Sequence, residues 1–380
     1  MKYLPLFLLI ALLLTGCAQN APAAVSQVPT TPTTAHTEET VPPTTEASDP
    51  IELLIQSMSL EERVGQLFLA RCNAATAAED VCKYHLGGLV LFGVDFENQT
   101  PESVSDTIRI YQNAARIPLL IAVDEEGGTV TRVSRYPQYR STPFASPRSL
   151  YNQGELELVL DTETEKCQLL RSLGINVNLA PVCDISTQPD ALLYDRSLGQ
   201  NAAVTSDYIS ETVRVMEKNK VGSVLKHFPG YGNNADTHLQ IATDRRSLNE
   251  LENCDLLPFR AGIDAGANAV MVSHIIVEAF DAQLPATLSP AVHQYLREEM
   301  VFDGVILTDD LAMGAITEQY GAGEAAVLAV LAGNDLLCST EYAVQYEAVL
   351  EAVLTGRIDY YTLTDAVRRI LYWKQALGLL

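Results

Sequence analysis

Positive charge is scarce in this chain. Lys and Arg total 25 against 48 Asp and Glu, a formal charge of −23. That balance argues against binding to nucleic acid or to an anionic surface by electrostatic attraction. Apolar runs long enough to span a bilayer are missing too: the longest, Leu4 to Leu14, is too short for a membrane helix and suits a signal core. No C-x-x-C pair occurs among Cys72, Cys82, Cys167, Cys183, Cys254 and Cys338, which argues against a zinc ribbon or a thioredoxin motif. H-x-H and H-E-x-x-H pairs and a P-loop are absent as well.

What is present begins with a leader. Lys2 gives a short positive start, the apolar run follows, and Leu14-Thr15-Gly16-Cys17 closes it. This tetrapeptide resembles a bacterial lipobox, so residues 1–17 are expected to be a lipoprotein signal with Cys17 lipidated. Lipid on Cys17 would hold the protein at the extracytoplasmic face of a membrane, and that anchor is the expected membrane contact. Residues 18–49 are rich in Thr, Pro and Ala, with no Lys or Arg between Cys17 and Glu62. Such a segment buries too little apolar surface to offset its ordering entropy and is expected to be a disordered tether.

Residues 50–380 alternate short apolar runs with amphipathic stretches. Eight runs read as buried parallel strands: 64–70, 87–93, 118–123, 176–182, 222–226, 268–273, 303–308 and 334–339. Helical stretches such as 101–115, 158–173, 204–220, 251–265, 289–300 and 321–332 separate them. A helix opens near Asp49-Pro50, and another at Ser59, with Glu62 at the capping-box position. Strands buried on both faces, each followed by a helix, predict an α/β protein with a single (β/α)8 TIM-type barrel domain. The final stretches, 341–355 and 362–378, are expected to complete and close the ring.

In such barrels the chemistry lies at the C-terminal ends of the strands. Asp124 follows strand three, Lys226 and His227 strand five, His274 strand six, and Asp309 and Asp310 strand seven. The stretch "KHFPGYGNNADTH" (226–238) adds Asp236 and His238 around a glycine-rich turn. Neutral imidazole accepts a proton and imidazolium donates one near neutral pH, and a nearby carboxylate orients the ring and supports its charge. From chemistry alone, His227, His238, His274 and Asp309 could instead converge on a metal in a hydrolase, although Lys226 beside a metal is electrostatically awkward. Spacing does not choose between Asp309 and Asp310, and Glu125-Glu126 also read as a paired-carboxylate site. Gly127-Gly128 are expected to permit a tight turn. His274 has a mouth position without an assigned role.

"KHFPGYGNNADTH" resembles the signature of the β-N-acetylhexosaminidases of glycoside hydrolase family 3. "AVDEEGGTVTRV", "DRSLG", "LPATLSP" and "DGVILTDDLAM" resemble that family's other segments, in order. The resemblance implies a retaining exo-β-N-acetylhexosaminidase that releases terminal N-acetylglucosamine, with peptidoglycan-derived fragments as the natural source. It implies Asp309 as the nucleophile, His238 as the acid/base partnered by Asp236, and Asp124, Arg132, Arg196, Lys226 and His227 as sugar contacts. No metal or other cofactor is expected, and the partner is a small carbohydrate. Two features depart from many relatives: Tyr231 stands where a second His is common, and the stretch between Gly232 and Asp236 is one residue shorter. Alternatives are a family 3 β-glucosidase, an N-acetylglucosaminide phosphorylase or, more remotely, a non-catalytic sugar-binding lipoprotein. The acid/base and nucleophile positions argue against the last, since binding needs neither.

Overall fold

The computed structural model describes residues 49–232 and 242–380. Eight parallel strands form the barrel: β1 (Phe68–Arg71), β2 (Gly88–Leu91), β3 (Leu120–Val123), β4 (Val177–Asn178), β5 (Gly222–Phe228), β6 (Ala269–Val272), β7 (Val305–Thr308) and β8 (Leu337–Ser339). Each pairs with its sequence neighbour, and β8 returns to β1 with Phe68 opposite Leu337. The ring closes between β7 and β8 through a parallel bridge, Leu307 to Leu336. A separate pair of short parallel strands, Thr243–Asp244 and Ile276–Val277, lies beyond the ends of β5 and β6.

The strands occupy the predicted apolar runs but are shorter. In 64–70 the first residues finish a helix, Leu60–Gln66, and only Phe68 onward is strand. The capping box explains the helix start: Ser59 Oγ accepts from Glu62 N at 3.2 Å, and Glu62 Oε2 accepts from Ser59 N at 2.8 Å. The predicted 251–265 helix is two, Leu248–Glu252 and Leu256–Asp264. The long helix Pro147–Ser172 is broken at Gly154 and Glu155, and begins well before the predicted 158.

One expectation is corrected. Helix Tyr342–Leu354 belongs to the ring, but helix Tyr360–Ala376 does not. Its side chains meet residues that precede strands on opposite sides of the barrel. Arg369 pairs with Asp335 before β8, Lys374 bonds Gln66 before β1, and Trp373 lies against Gly222 at the start of β5. The helix therefore lies across the N-terminal end of the barrel and plugs it. Asp335 bolts this end together, because it also accepts from Arg297 at 2.6 Å and from Ile306 N at 2.8 Å.

Lys374 is fully buried in this plug. Its Nζ donates to Gln66 Oε1 at 2.6 Å, a neutral partner. Burial disfavours the ammonium and pushes its pKa down to about 7. In the unfolded chain the value is about 10.4, so between these pH values the unfolded state holds a proton that the folded state has released. Stability then rises with pH, with a slope approaching about 1.4 kcal/mol per unit. Lys374→Met should stabilise the protein at pH 7, and the advantage should shrink by pH 9. Denaturant melts at the two pH values check this; an advantage that does not shrink contradicts the burial argument.

Candidate active site

The C-terminal end of the barrel opens into a cavity of about 430 Å3. Seven of the residues singled out from the sequence line it: Asp124, Arg132, Arg196, Lys226, His227, Asp309 and Asp310. Asp236 and His238 lie outside the described residues, as does Cys17.

Lys226 is the centre. β5 delivers it into the barrel, where it is 2% exposed. Its Nζ lies 2.7 Å from Asp124 Oδ1 and 2.6 Å from Glu126 Oε1. Burial alone would drive the lysine neutral, but the two carboxylates outweigh it and raise its pKa. Glu126 also grips Arg196 with both oxygens, at 2.7 and 2.9 Å. Burial would raise the Glu126 pKa; Lys226 and Arg196 instead hold it well below the usual carboxylate range. The sequence offers Glu126 only as one half of a carboxylate pair with Glu125; in the structure its carboxylate ties two of the expected sugar contacts, Lys226 and Arg196, together.

Glu125 turns the other way and is fully buried. It accepts from Arg132 N and Val133 N at 2.8 Å each, from Ser134 N at 3.2 Å and from the Ser134 hydroxyl. Glu125 therefore shapes the loop that carries Arg132. The turn between them needs glycine: Gly127 and Gly128 have φ of +104° and +62°, and a Cβ on Gly127 would lie 2.3 Å from Ala145 O. Arg132 makes no salt bridge among the described residues. Its guanidinium carbon sits 5.6 Å from the Phe92 ring centroid, at the cavity wall.

His227 has a defined tautomer. Arg196 Nη2 approaches its Nε2 at 3.2 Å, and a guanidinium only donates, so Nε2 carries a lone pair. Nδ1 then bears the proton and donates to Asp184 Oδ2 at 2.8 Å. Asp184 also accepts from His227 N at 2.9 Å and from Tyr231 N at 2.7 Å. Sequence reasoning missed Asp184; its only signal was a carboxylate just after the fourth apolar run. Tyr231 is buried and packs edge-on against the His227 ring, 5.4 Å between centroids.

The two acids after β7 separate cleanly. Asp310 Oδ1 accepts from Ala312 N and Thr340 N, and Oδ2 from Thr340 Oγ1 at 2.6 Å. Its carboxylate is committed to the surrounding loops. Among the described residues Asp309 accepts a single hydrogen bond, from Asp310 N at 2.8 Å. Burial would raise the Asp309 pKa, but His274, the Asp310 N–H and Lys226 are among the groups that outweigh it and hold the value below that of an ordinary carboxylate. His274 is buried, with Nδ1 2.8 Å from Thr287 Oγ1 and Nε2 3.0 Å from the Asp310 carbonyl oxygen. It braces the Asp309-Asp310 turn.

His227 and His274 thus each spend both ring nitrogens on protein groups. Among the described residues no group of three or more His, Cys, Asp or Glu side chains is arranged to hold a metal ion.

A carboxylate with a depressed pKa and few partners, facing a sheltered cluster of sugar-sized polar groups, suits glycosyl transfer. A profile of the Glycosyl hydrolase family 3 N terminal domain matches residues 59–372. The chain belongs to glycosyl hydrolase family 3. This family 3 chain is 30% identical over 330 residues to the beta-hexosaminidase LpqI of Mycobacterium tuberculosis, covering 83% of each. It is 35% identical over 289 residues to a beta-hexosaminidase of Stenotrophomonas maltophilia, covering 72% of this chain and 84% of that one. Its structure is similar to that of a family 3 β-N-acetylglucosaminidase from Paenibacillus sp., with a TM-score of 0.80 at 35% identity over 85% of this chain. The chain spans 63% of that protein's length.

Removing one partner from a buried charge cluster leaves the others unpaired, at about 3–5 kcal/mol. Glu126→Ala should lower stability by that amount in denaturant melts at pH 7 and raise KM, because Lys226 and Arg196 lose a shared anchor. Its folded pKa is depressed, so the contribution is present above the unfolded value of about 4.3 and is lost as pH falls through the folded one. The gap to wild type should begin to narrow below about pH 4.3 and go on narrowing as the pH falls towards the folded value.

Proposed function

We propose that this family 3 glycoside hydrolase is a retaining exo-β-N-acetylhexosaminidase that releases terminal N-acetylglucosamine from glycosides. The names of its relatives support the sugar, and the partner count of the two acids supports the mechanism. Asp310 is occupied by the loops, while Asp309 faces the cavity with one protein donor. Asp309 attacks the anomeric carbon, the glycosidic C–O bond breaks, and His238 protonates the leaving oxygen with Asp236 orienting its ring. Water, deprotonated by the same imidazole, then cleaves the glycosyl-enzyme with net retention. Asp124 accepts hydroxyl protons from the sugar; Lys226, Arg196 and Arg132 donate to its oxygens. Phosphate is the alternative nucleophile, since a neutral His repels it less than a carboxylate would. Sugar 1-phosphate formed in phosphate buffer would identify that variant of the reaction.

The enzyme works outside the cell, held by lipid on Cys17, on amino-sugar glycosides such as peptidoglycan fragments. Cys17→Ser should release it from membranes with unchanged specific activity; a wild-type protein found unlipidated in the medium overturns the anchor.

The chemistry has direct tests. A 5-fluoro N-acetylglucosaminyl fluoride should add one sugar, mapping to Asp309 by peptide fragmentation. A label on Asp310, Glu125 or Glu126 reassigns the nucleophile. Since the Asp309 pKa is held down, loss of glycosyl-enzyme formation through its protonation should begin only below about pH 4. His238→Ala should spare activated aryl glycosides and cost ~10²–10⁴-fold on poor leaving groups, with azide trapping the intermediate as a β-glycosyl azide. Equal losses on both substrates, without an azide product, would remove His238 from the proton-transfer role.

A further inference from the structure

His274 lies just past the end of β6, fully buried, with both ring nitrogens against oxygen. Its Nε2 lies 3.0 Å from the Asp310 carbonyl oxygen. A carbonyl oxygen only accepts, so Nε2 carries a proton.

Thr287 decides the other nitrogen. Its Oγ1 lies 2.8 Å from His274 Nδ1, 2.6 Å from Ser273 O and 3.1 Å from Val272 O. A hydroxyl has one proton to give. Two oxygens 2.6 Å apart need a proton between them, so the hydroxyl donates to Ser273 O. Its lone pairs then face Nδ1, which must donate. Thr287 is fully buried and has no freedom to turn away. Its N–H donates to Ser273 O at 3.0 Å, and Asn334 Nδ2 donates to its carbonyl at 2.8 Å. The Asn334 amide is itself oriented, because Nδ2 also donates to Ala329 O at 2.8 Å. With both nitrogens donating, the His274 ring is an imidazolium.

A buried cation needs a counter-charge. Asp309 supplies it: its N–H donates to Val272 O at 3.2 Å, which sets it beside the end of β6. Burial opposes ionisation of Asp309, and His274 leads the groups that outweigh it. Among the described residues, the other titratable and charged groups near this pair are Asp310 on the same turn, Lys226 and His227 in β5, and Cys338 in β8. Lys226 is shared by Asp124 and Glu126, and Asp310 is taken by the loops. His227 is the neutral tautomer set by Arg196. His274 is the cation left to Asp309.

We propose that His274 is a positioning residue that carries a fixed positive charge for the nucleophile: held doubly protonated by Thr287 and the Asp310 carbonyl, it keeps Asp309 ionised before attack and eases its departure afterwards. The inference rests on Asp309 carrying the glycosyl-enzyme. In the second step the bond between the anomeric carbon and Asp309 breaks, and its electron pair returns to the carboxylate. A preorganised imidazolium beside that oxygen stabilises the returning charge. No bond to His274 forms or breaks, and its protons stay in place; the proton of the attacking water goes to the general base.

Nitrogen NMR of the histidine rings in the wild-type protein reads the charge directly. At pH 7 His274 should show two protonated nitrogens, and His227 one. A His274 ring with one bare nitrogen overturns the proposal. His274→Gln keeps a donor for the Asp310 carbonyl and removes the charge. It should move the acid limb of kcat/KM up by about one pH unit, because Asp309 loses a neighbouring cation. Reactivation of the 5-fluoro glycosyl-enzyme by water should slow up to about tenfold, the limit for one unit of leaving-group pKa, and more than adduct formation slows. Equal slowing of both steps with the acid limb unmoved would make His274 a packing residue and overturn its charged role. Failure to form any adduct on Asp309 overturns the nucleophile reading itself, and the positioning role with it, whatever the ring nitrogens show.

Discussion

The buried ammonium of Lys226 is the interaction on which the site depends. An isolated charge at that depth would lose several kcal/mol of hydration. Two carboxylates offset the loss, and each comes from the turn after β3. Because Glu126 is shared, Arg196 is drawn to the same point from the loop before the next helix. Arg196 then fixes the lone pair of His227, and Asp184 fixes its proton. One charge thus orders donors and acceptors from three segments of the chain. Preorganisation of this kind lets a polar site grip a sugar without paying reorganisation at the moment of binding.

Adjacent acids divide the labour by direction. Successive side chains on an extended segment point to opposite sides. In Asp124-Glu125-Glu126, the outer two face Lys226 and the middle one faces the backbone of 132–134. In Asp309-Asp310 the second is absorbed by Thr340 and Ala312. Chemistry and scaffolding sit on neighbouring residues of the same type, which is why counting carboxylates does not identify a nucleophile.

The far end of the barrel carries the stability. Asp335 ties β7, the approach to β8 and the last helix through three donors, and that helix plugs the barrel with Trp373 and Lys374. The separation matters for function. A mouth made of loops and buried charges tolerates exchange of its lining only if the ring beneath it is rigid.

The eight strands and their order were legible in the sequence, because a strand buried on both faces must be apolar and a parallel ring must alternate with helices. The positions of Asp124, Lys226, His227 and Asp309 at one end followed from that count. Helix starts such as Ser59 were legible too, since a cap depends on residues three apart. The partners were not. Lys226 finds Asp124 across 102 residues, Arg196 finds Glu126 across 70, and His227 finds Asp184 across 43. No local pattern encodes such distances. The same holds for His274, a polar residue past a strand end until Thr287 and Asp310 meet it with acceptors on both sides. The last helix reads as amphipathic whether it joins the ring or crosses the base, because periodicity reports which face is buried and not against what. Local chemistry determined the elements and their ends; only closure of the ring decided which charges would meet.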